Sequence, residues 1–150
     1  MAEINLEHEK LMEQLTLDSS YEESLAVPYW DGVEYIHRDQ WRNAHGGYDR
    51  TYRNKAGKLH RLYGPAYINK YHNVEMWYKN GELHRGDGGP AITHNANRYW
   101  YFEGLRHRTD GPAVDSKGQS KQYWINGHRL SPKEYKKEIA RRKRKGHYGY

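Results

Sequence analysis

Four glycines, Gly57, Gly81, Gly104 and Gly127, recur at intervals of 24, 23 and 23 residues, each inside the same short phrase. Aligned on them, the chain reads TYRNKAGKLHRLYGPAYI from Thr51, MWYKNGELHRGDGGPAIT from Met76 and YWYFEGLRHRTDGPAVD from Tyr99. A truncated copy, QYWINGHRL, starts at Gln122, and PYWDGVEYIHRD carries Gly32 25 residues before Gly57. In that upstream stretch His37 falls two places late. A fixed period of this length belongs to chains that stack one small supersecondary unit upon the next.

Each unit has a direct local reading. Trp77-Tyr78, Trp100-Tyr101 and Tyr123-Trp124 are strand-prone pairs, and Asn80-Gly81 and Asn126-Gly127 are the preferred dipeptide of a tight type I′ hairpin turn. Leu-His-Arg then returns as a strand. Asp-Gly-Pro bends the backbone, since glycine admits positive φ and proline presets φ near −65°. Ala-Ile-Thr or Ala-Val-Asp resumes extended structure, and turns such as His94–Asn97 and Ser116–Gly118 lead into the next unit. The expected fold is mainly β: an antiparallel meander of stacked β-hairpin repeats with short N-terminal and C-terminal capping helices.

The run Asn-Gly-x-x-His-Arg-x-Asp-Gly-Pro-Ala, preceded by Trp-Tyr, resembles the MORN-repeat superfamily over roughly residues 51–130. Within it, the run is more similar to a divergent bacterial and phage branch described as antitoxin-like. A standard MORN unit has glycine where this chain has Arg61, Arg85 and Arg108. The resemblance implies a hairpin meander used as a binding scaffold and without catalytic residues; it names no ligand.

Composition fits such a sheet. Leu, Ile, Val and Phe make up only 21 of 150 residues, a level typical of disordered chains, but 15 Tyr and 5 Trp can supply a thin aromatic core. With no cysteine there is no disulfide, thiolate zinc site or cysteine nucleophile, and no cofactor is expected. MAEINLEHEKLMEQL has no basic leader pattern, and no apolar run reaches a membrane span, so the expected location is cytoplasmic. The net charge of +6 is segregated: −6 over residues 1–25, +6 over 26–130 and +6 over 131–150. These three stretches divide the chain into an acidic N-terminal helix and linker, the repeats, and a basic C-terminal helix and tail.

The recurring His-Arg-x-Asp, at His84-Arg85-Asp87 and His107-Arg108-Asp110 with His60-Arg61 before them, invites a catalytic reading in which His is a base oriented by Asp. A site is built once, however, and a triplet present in every unit is more naturally the element that defines the repeat. A shared zinc ion fails on distance, because successive hairpins lie about 9.6 Å apart while ligands of one ion sit about 3 Å apart. Alternation of strand residues predicts one aromatic row buried and the other exposed. Tyr78, Tyr101 and Trp124, beside Arg85 and Arg108, are the candidate partner-binding face.

SPKEYKKEIARRKRK carries helix signals: Ser131 as N-cap, Pro132 in the first turn and Glu134 closing a capping box. Tyr135 and Ile139 form an apolar stripe able to dock on the last hairpin, while Lys133, Lys137, Arg141, Arg142, Lys143, Arg144 and Lys145 form an electrostatic handle. At the other end Ile4, His8, Leu11 and Leu15 share one face of a helix expected over residues 3–17. Three function classes follow. The favoured one is a non-catalytic scaffold binding another protein, as an antitoxin-like or phage-encoded modulator of a host factor. The alternatives are a nucleic-acid binder using residues 131–145 with exposed Tyr and Arg, and, last, an enzyme using the repeat histidines.

Overall fold

A computed structural model describes residues 27–30, 35–42 and 45–147, together with Lys10. The helix expected over residues 3–17 lies outside the described residues. The strands are β1 Val27–Trp30, β2 Tyr35–Arg42, β3 Tyr48–Arg53, β4 Tyr67–Asn69, β5 Val74–Met76, β6 Tyr78–Lys79 and β7 Glu82–Leu83. They continue with β8 Ile92–His94, β9 Asn97–Tyr99, β10 Tyr101–Phe102, β11 Leu105–Arg106, β12 Val114–Asp115, β13 Tyr123–Ile125 and β14 His128–Leu130. The helix α1, Pro132–Arg144, ends the series. No helix of the described residues is long and apolar enough to cross a membrane.

The meander is double. An eight-stranded antiparallel sheet runs β1-β2-β3-β4-β5-β8-β9-β12, and three separate two-stranded hairpins, β6-β7, β10-β11 and β13-β14, form a second row. The chain passes from sheet to hairpin at Trp77 and Trp100, and Tyr52, within β3, takes the equivalent place in the first unit. Tyr52, Trp77 and Trp100 each donate their backbone N–H to the carbonyl of the buried alanine in the Gly-Pro-Ala run: Ala66 at 2.7 Å, Ala91 at 2.7 Å and Ala113 at 2.9 Å. Their own carbonyls accept from the N–H of His60, His84 and His107. Those alanines are fully buried, so a larger side chain there would hold the two rows apart. Side chains of both rows, among them Val74, Met76, Tyr78, Ile92, Tyr101, Val114 and Trp124, form one core cluster.

The expected hairpin turns are present. Asn80 (φ 49) and Gly81 (φ 84), like Asn126 (φ 48) and Gly127 (φ 78), are left-handed at both positions, as a type I′ turn requires. Glu103-Gly104 occupies the equivalent turn with Glu103 at φ 49. Within the upstream PYWDGVEYIHRD, β1 and β2 pair antiparallel with Trp30 opposite Tyr35, and both belong to the large sheet. There no Gly-Pro follows His-Arg-Asp, and β2 runs on for eight residues instead of breaking.

Candidate functional site

The His-Arg-x-Asp-Gly-Pro-Ala phrase closes into one device per unit. The histidine acts through Nδ1, which accepts the backbone N–H of the next hairpin's turn at 3.0 Å: Asn80 for His60, Glu103 for His84 and Asn126 for His107. Backbone bonds from Gly81 to Leu59, Gly104 to Leu83 and Gly127 to Arg106 run beside these clamps. A histidine whose Nδ1 accepts a hydrogen bond is neutral with its proton on Nε2.

The arginine lies flat on the crossing aromatic. Arg61 Cζ sits 4.1 Å from the Tyr52 ring centre, Arg85 4.0 Å from Trp77 and Arg108 3.8 Å from Trp100. Each guanidinium also donates to the proline carbonyl ahead, Pro65 at 3.3 Å, Pro90 at 3.1 Å and Pro112 at 3.1 Å. Asp87 and Asp110 orient it from the side, at 2.7 Å from Arg85 Nε and 2.8 Å from Arg108 Nε. The bond from Arg85 holds the Asp87 carboxyl below the ordinary carboxylate range. The glycine supplies the space. A Cβ at Gly64, Gly89 or Gly111 would stand 2.6, 2.5 or 3.0 Å from the guanidinium carbon.

In the two units that carry it, the Asp serves the arginine: Asp87 and Asp110 bond to Arg85 and Arg108, while the Nδ1 of His84 and His107 accepts from the next turn. One sequence expectation changes. The aromatics of the expected partner face are internal: Tyr78, Tyr101 and Trp124 are 4%, 3% and 6% exposed, Trp100 of the other row is buried, and Trp77, Tyr123, Arg85 and Arg108 are half-buried. The alternation rule misplaced Trp77-Tyr78 and Trp100-Tyr101 because Trp77 and Trp100 stand at a corner between two sheets, so these pairs do not lie on one strand; Tyr123 and Trp124 do share β13. Arg106, which the sequence did not single out, is buried beneath them; it donates to the Tyr101 hydroxyl at 2.9 Å and lies 5.1 Å from the Trp124 ring centre. No group of three or more His, Asp or Glu side chains among the described residues is placed to hold a metal ion.

Burial, aided by Lys79 at His84 and Arg142 at His107, holds both imidazoles below their ordinary value of 6.5. The unfolded chain therefore takes up these protons first as pH falls. Their contribution to stability is complete above the ordinary imidazole value and declines as pH drops below it. We expect the urea midpoint to fall between about pH 7 and pH 5. In a His84→Gln/His107→Gln variant this part of the fall should be reduced.

The basic end is built as the sequence predicts. The Ser131 hydroxyl accepts the Glu134 N–H at 3.2 Å and the Glu134 carboxylate accepts the Ser131 N–H at 2.8 Å, completing the capping box. Tyr135 anchors the helix: its hydroxyl donates to the Arg108 carbonyl at 2.9 Å and accepts from the Gly111 N–H at 3.0 Å, and its ring lies 4.7 Å from that of Tyr123. Ile139 is half-buried. Lys133, Lys137, Arg141, Lys143, Arg144 and Lys145 are exposed. Arg142 and Arg141 both bind Glu138, and the Arg141 bond holds that carboxyl down at about 2.

Between α1 and the hairpin β13-β14 runs an open groove of about 930 Å³. Ile125, Leu130 and Ala140 contribute its apolar lining; Glu134 and Glu138 line it too, Glu138 paired with Arg141 and Arg142, and Lys137 and Arg144 add exposed positive charge. Sequence had offered the helix as a charged handle; the apolar part of the groove comes from a hairpin and a helix meeting in space. Searches against protein-family models, curated proteins and solved structures find no match to this chain.

Proposed function

We propose that this protein is a non-catalytic, MORN-like repeat scaffold that binds another protein, and that the binding element is the groove between α1 and β13-β14. The observation that carries this reading is an apolar wall facing exposed cations, a chemistry that suits an acidic, amphipathic segment of a partner. The arginines and aromatics of the repeats are engaged within the fold, which removes them as the first choice of interface. The same burial weakens the nucleic-acid alternative. Strand binding uses aromatic faces open for base stacking beside the cations, and the exposed large aromatics of the described residues, Tyr48, Tyr63 and Tyr71, do not line this groove. Against an enzyme, the Nδ1 atoms of His60, His84 and His107 are each occupied by a backbone N–H and so do not serve as bases there.

The test uses the intact chain with a photo-crosslinker in place of His128, which is exposed in the groove. From a lysate of the encoding organism it should capture a protein, with capture falling about tenfold when Lys137→Glu and Arg144→Glu are combined, in line with the worth of rim charges. Capture indifferent to that reversal would overturn the proposed interface. A nuclease-sensitive product whose binding weakens steeply with salt would replace the protein reading with the nucleic-acid one.

A further inference from the structure

On the other side of α1 lies a separate cavity of about 290 Å³, between the helix and the last complete repeat. That volume is near the lower end of small-molecule sites. Its walls include the indole of Trp100 and the side chain of Ile139, so an organic body has apolar surface to rest on. Its charge is unbalanced. Among the lining side chains the acidic one is Asp110, already bonded to Arg108 at 2.8 Å, whereas the helix adds the cations Arg142 and Lys143. Arg142 is paired with Glu138 at 2.9 Å. Lys143 is exposed, and no carboxylate of the described residues forms an ion pair with it.

His107 supplies the second, independent observation. It lines this cavity, it is 4% exposed, and its Nε2 is buried without a hydrogen-bond partner. Because Nδ1 accepts the Asn126 N–H at 3.0 Å, Nε2 carries the proton, so the unmet need is for an acceptor. An unsatisfied buried donor is costly, and a ligand oxygen is one way to relieve it. The equivalent pocket one repeat earlier, beside His84, is smaller, about 180 Å³, and no helix lines it. Both pockets take cations from the repeats, Arg61, Lys79 and Arg85 there and Arg85 and Arg108 here, and the C-terminal cap adds Arg142 and Lys143.

We infer that this cavity binds a small organic phosphate monoester, its phosphate accepting from His107 Nε2 and facing Lys143 and Arg142, its apolar body against Trp100 and Ile139. A dianion answers both the neutral donor and the excess of cations, and the apolar walls favour an organic ester over the bare ion. The cavity shares Arg142 with the groove on the other side of α1, whereas Lys143 lines the cavity alone and Lys137 and Arg144 the groove alone.

Phenyl phosphate is the probe, with inorganic phosphate for comparison, titrated calorimetrically into the full chain at low ionic strength. Phenyl phosphate should bind about tenfold more tightly than inorganic phosphate, the difference expected for burying its ring. His107→Asn, whose amide oxygen can still accept the Asn126 N–H, and Lys143→Met should each weaken it by about tenfold. Lys55→Met, at an exposed lysine of the first repeat, should leave it unchanged. Should His107→Asn fail to fold, Lys143→Met on the exposed helix face carries the test alone. Absence of binding at millimolar phenyl phosphate would overturn the inference, as would equal affinity for inorganic phosphate. Affinity insensitive to Lys143→Met, or lost with Lys55→Met, would also overturn it.

Discussion

Gly89→Ala will destabilise the protein by about 2–3 kcal/mol, the combined worth of a stacked guanidinium and its charge-assisted hydrogen bond. The added Cβ would stand 2.5 Å from Arg85 Cζ. The guanidinium is the free end of a flexible side chain, so it can move away. In moving it gives up the face of Trp77, the Pro90 carbonyl and Asp87 together. The loss is thus that of the arginine's contacts, and backbone strain is not its source, since Gly89 does not occupy the left-handed region. Two consequences are specific. In an Arg85→Ala background the Gly89→Ala cost should nearly vanish, a strong coupling in a double-mutant cycle. Gly111→Ala, where the distance is 3.0 Å, should cost less. Urea unfolding of the four chains of the cycle and of Gly111→Ala reads both, and equal cost of Gly89→Ala in both backgrounds would contradict the fit between glycine and guanidinium.

The second large effect belongs to the histidine clamp. His60 is buried, and its Nδ1 holds the Asn80 N–H at the tip of the following hairpin. His60→Phe keeps most of the ring volume and removes the acceptor, an expected loss of about 1–2 kcal/mol. His60→Ala adds the cavity of the ring and should bring the loss to about 3 kcal/mol or more. His84, which is half-buried and makes the same bond to Glu103, should lose less in the parallel pair. Urea midpoints at neutral pH order the variants. If His60→Phe were as stable as the native chain, the imidazole would be a space-filler and the clamp would carry no weight.

Much of this was legible in the sequence. The glycine period announced stacked units, Asn80-Gly81 and Asn126-Gly127 fixed where the chain reverses, and Ser131-Pro132 with Glu134 marked the start of α1. The hidden part was the side to which the aromatics turn. Period-two alternation holds within a strand, but Trp77 and Trp100 stand between strands, at the corner where the chain leaves the large sheet for a hairpin. Arginine also reads as a surface residue until its partners are known. The signal that could have corrected this was the recurrence of an Arg followed by a Gly-Pro, at Arg61 with Gly64-Pro65, Arg85 with Gly89-Pro90 and Arg108 with Gly111-Pro112. A missing Cβ three or four residues after a long cation marks a place where that cation is received. The partner groove and the cavity had no such linear trace, because each needs α1 docked through Tyr135 against segments more than twenty residues away.

The central claim is that the repeat arginines belong to the framework and that the chain offers its cations to partners at the C-terminal end. Arginine-selective modification with phenylglyoxal, followed residue by residue by mass spectrometry, tests it most directly. Arg85 and Arg108, stacked and hydrogen-bonded within their units, should react several-fold more slowly than the exposed Arg129 and Arg144, and urea should erase the difference. Modification of Arg85 and Arg108 as fast as Arg129 and Arg144 in the folded chain would contradict the account and return the repeat face to the surface.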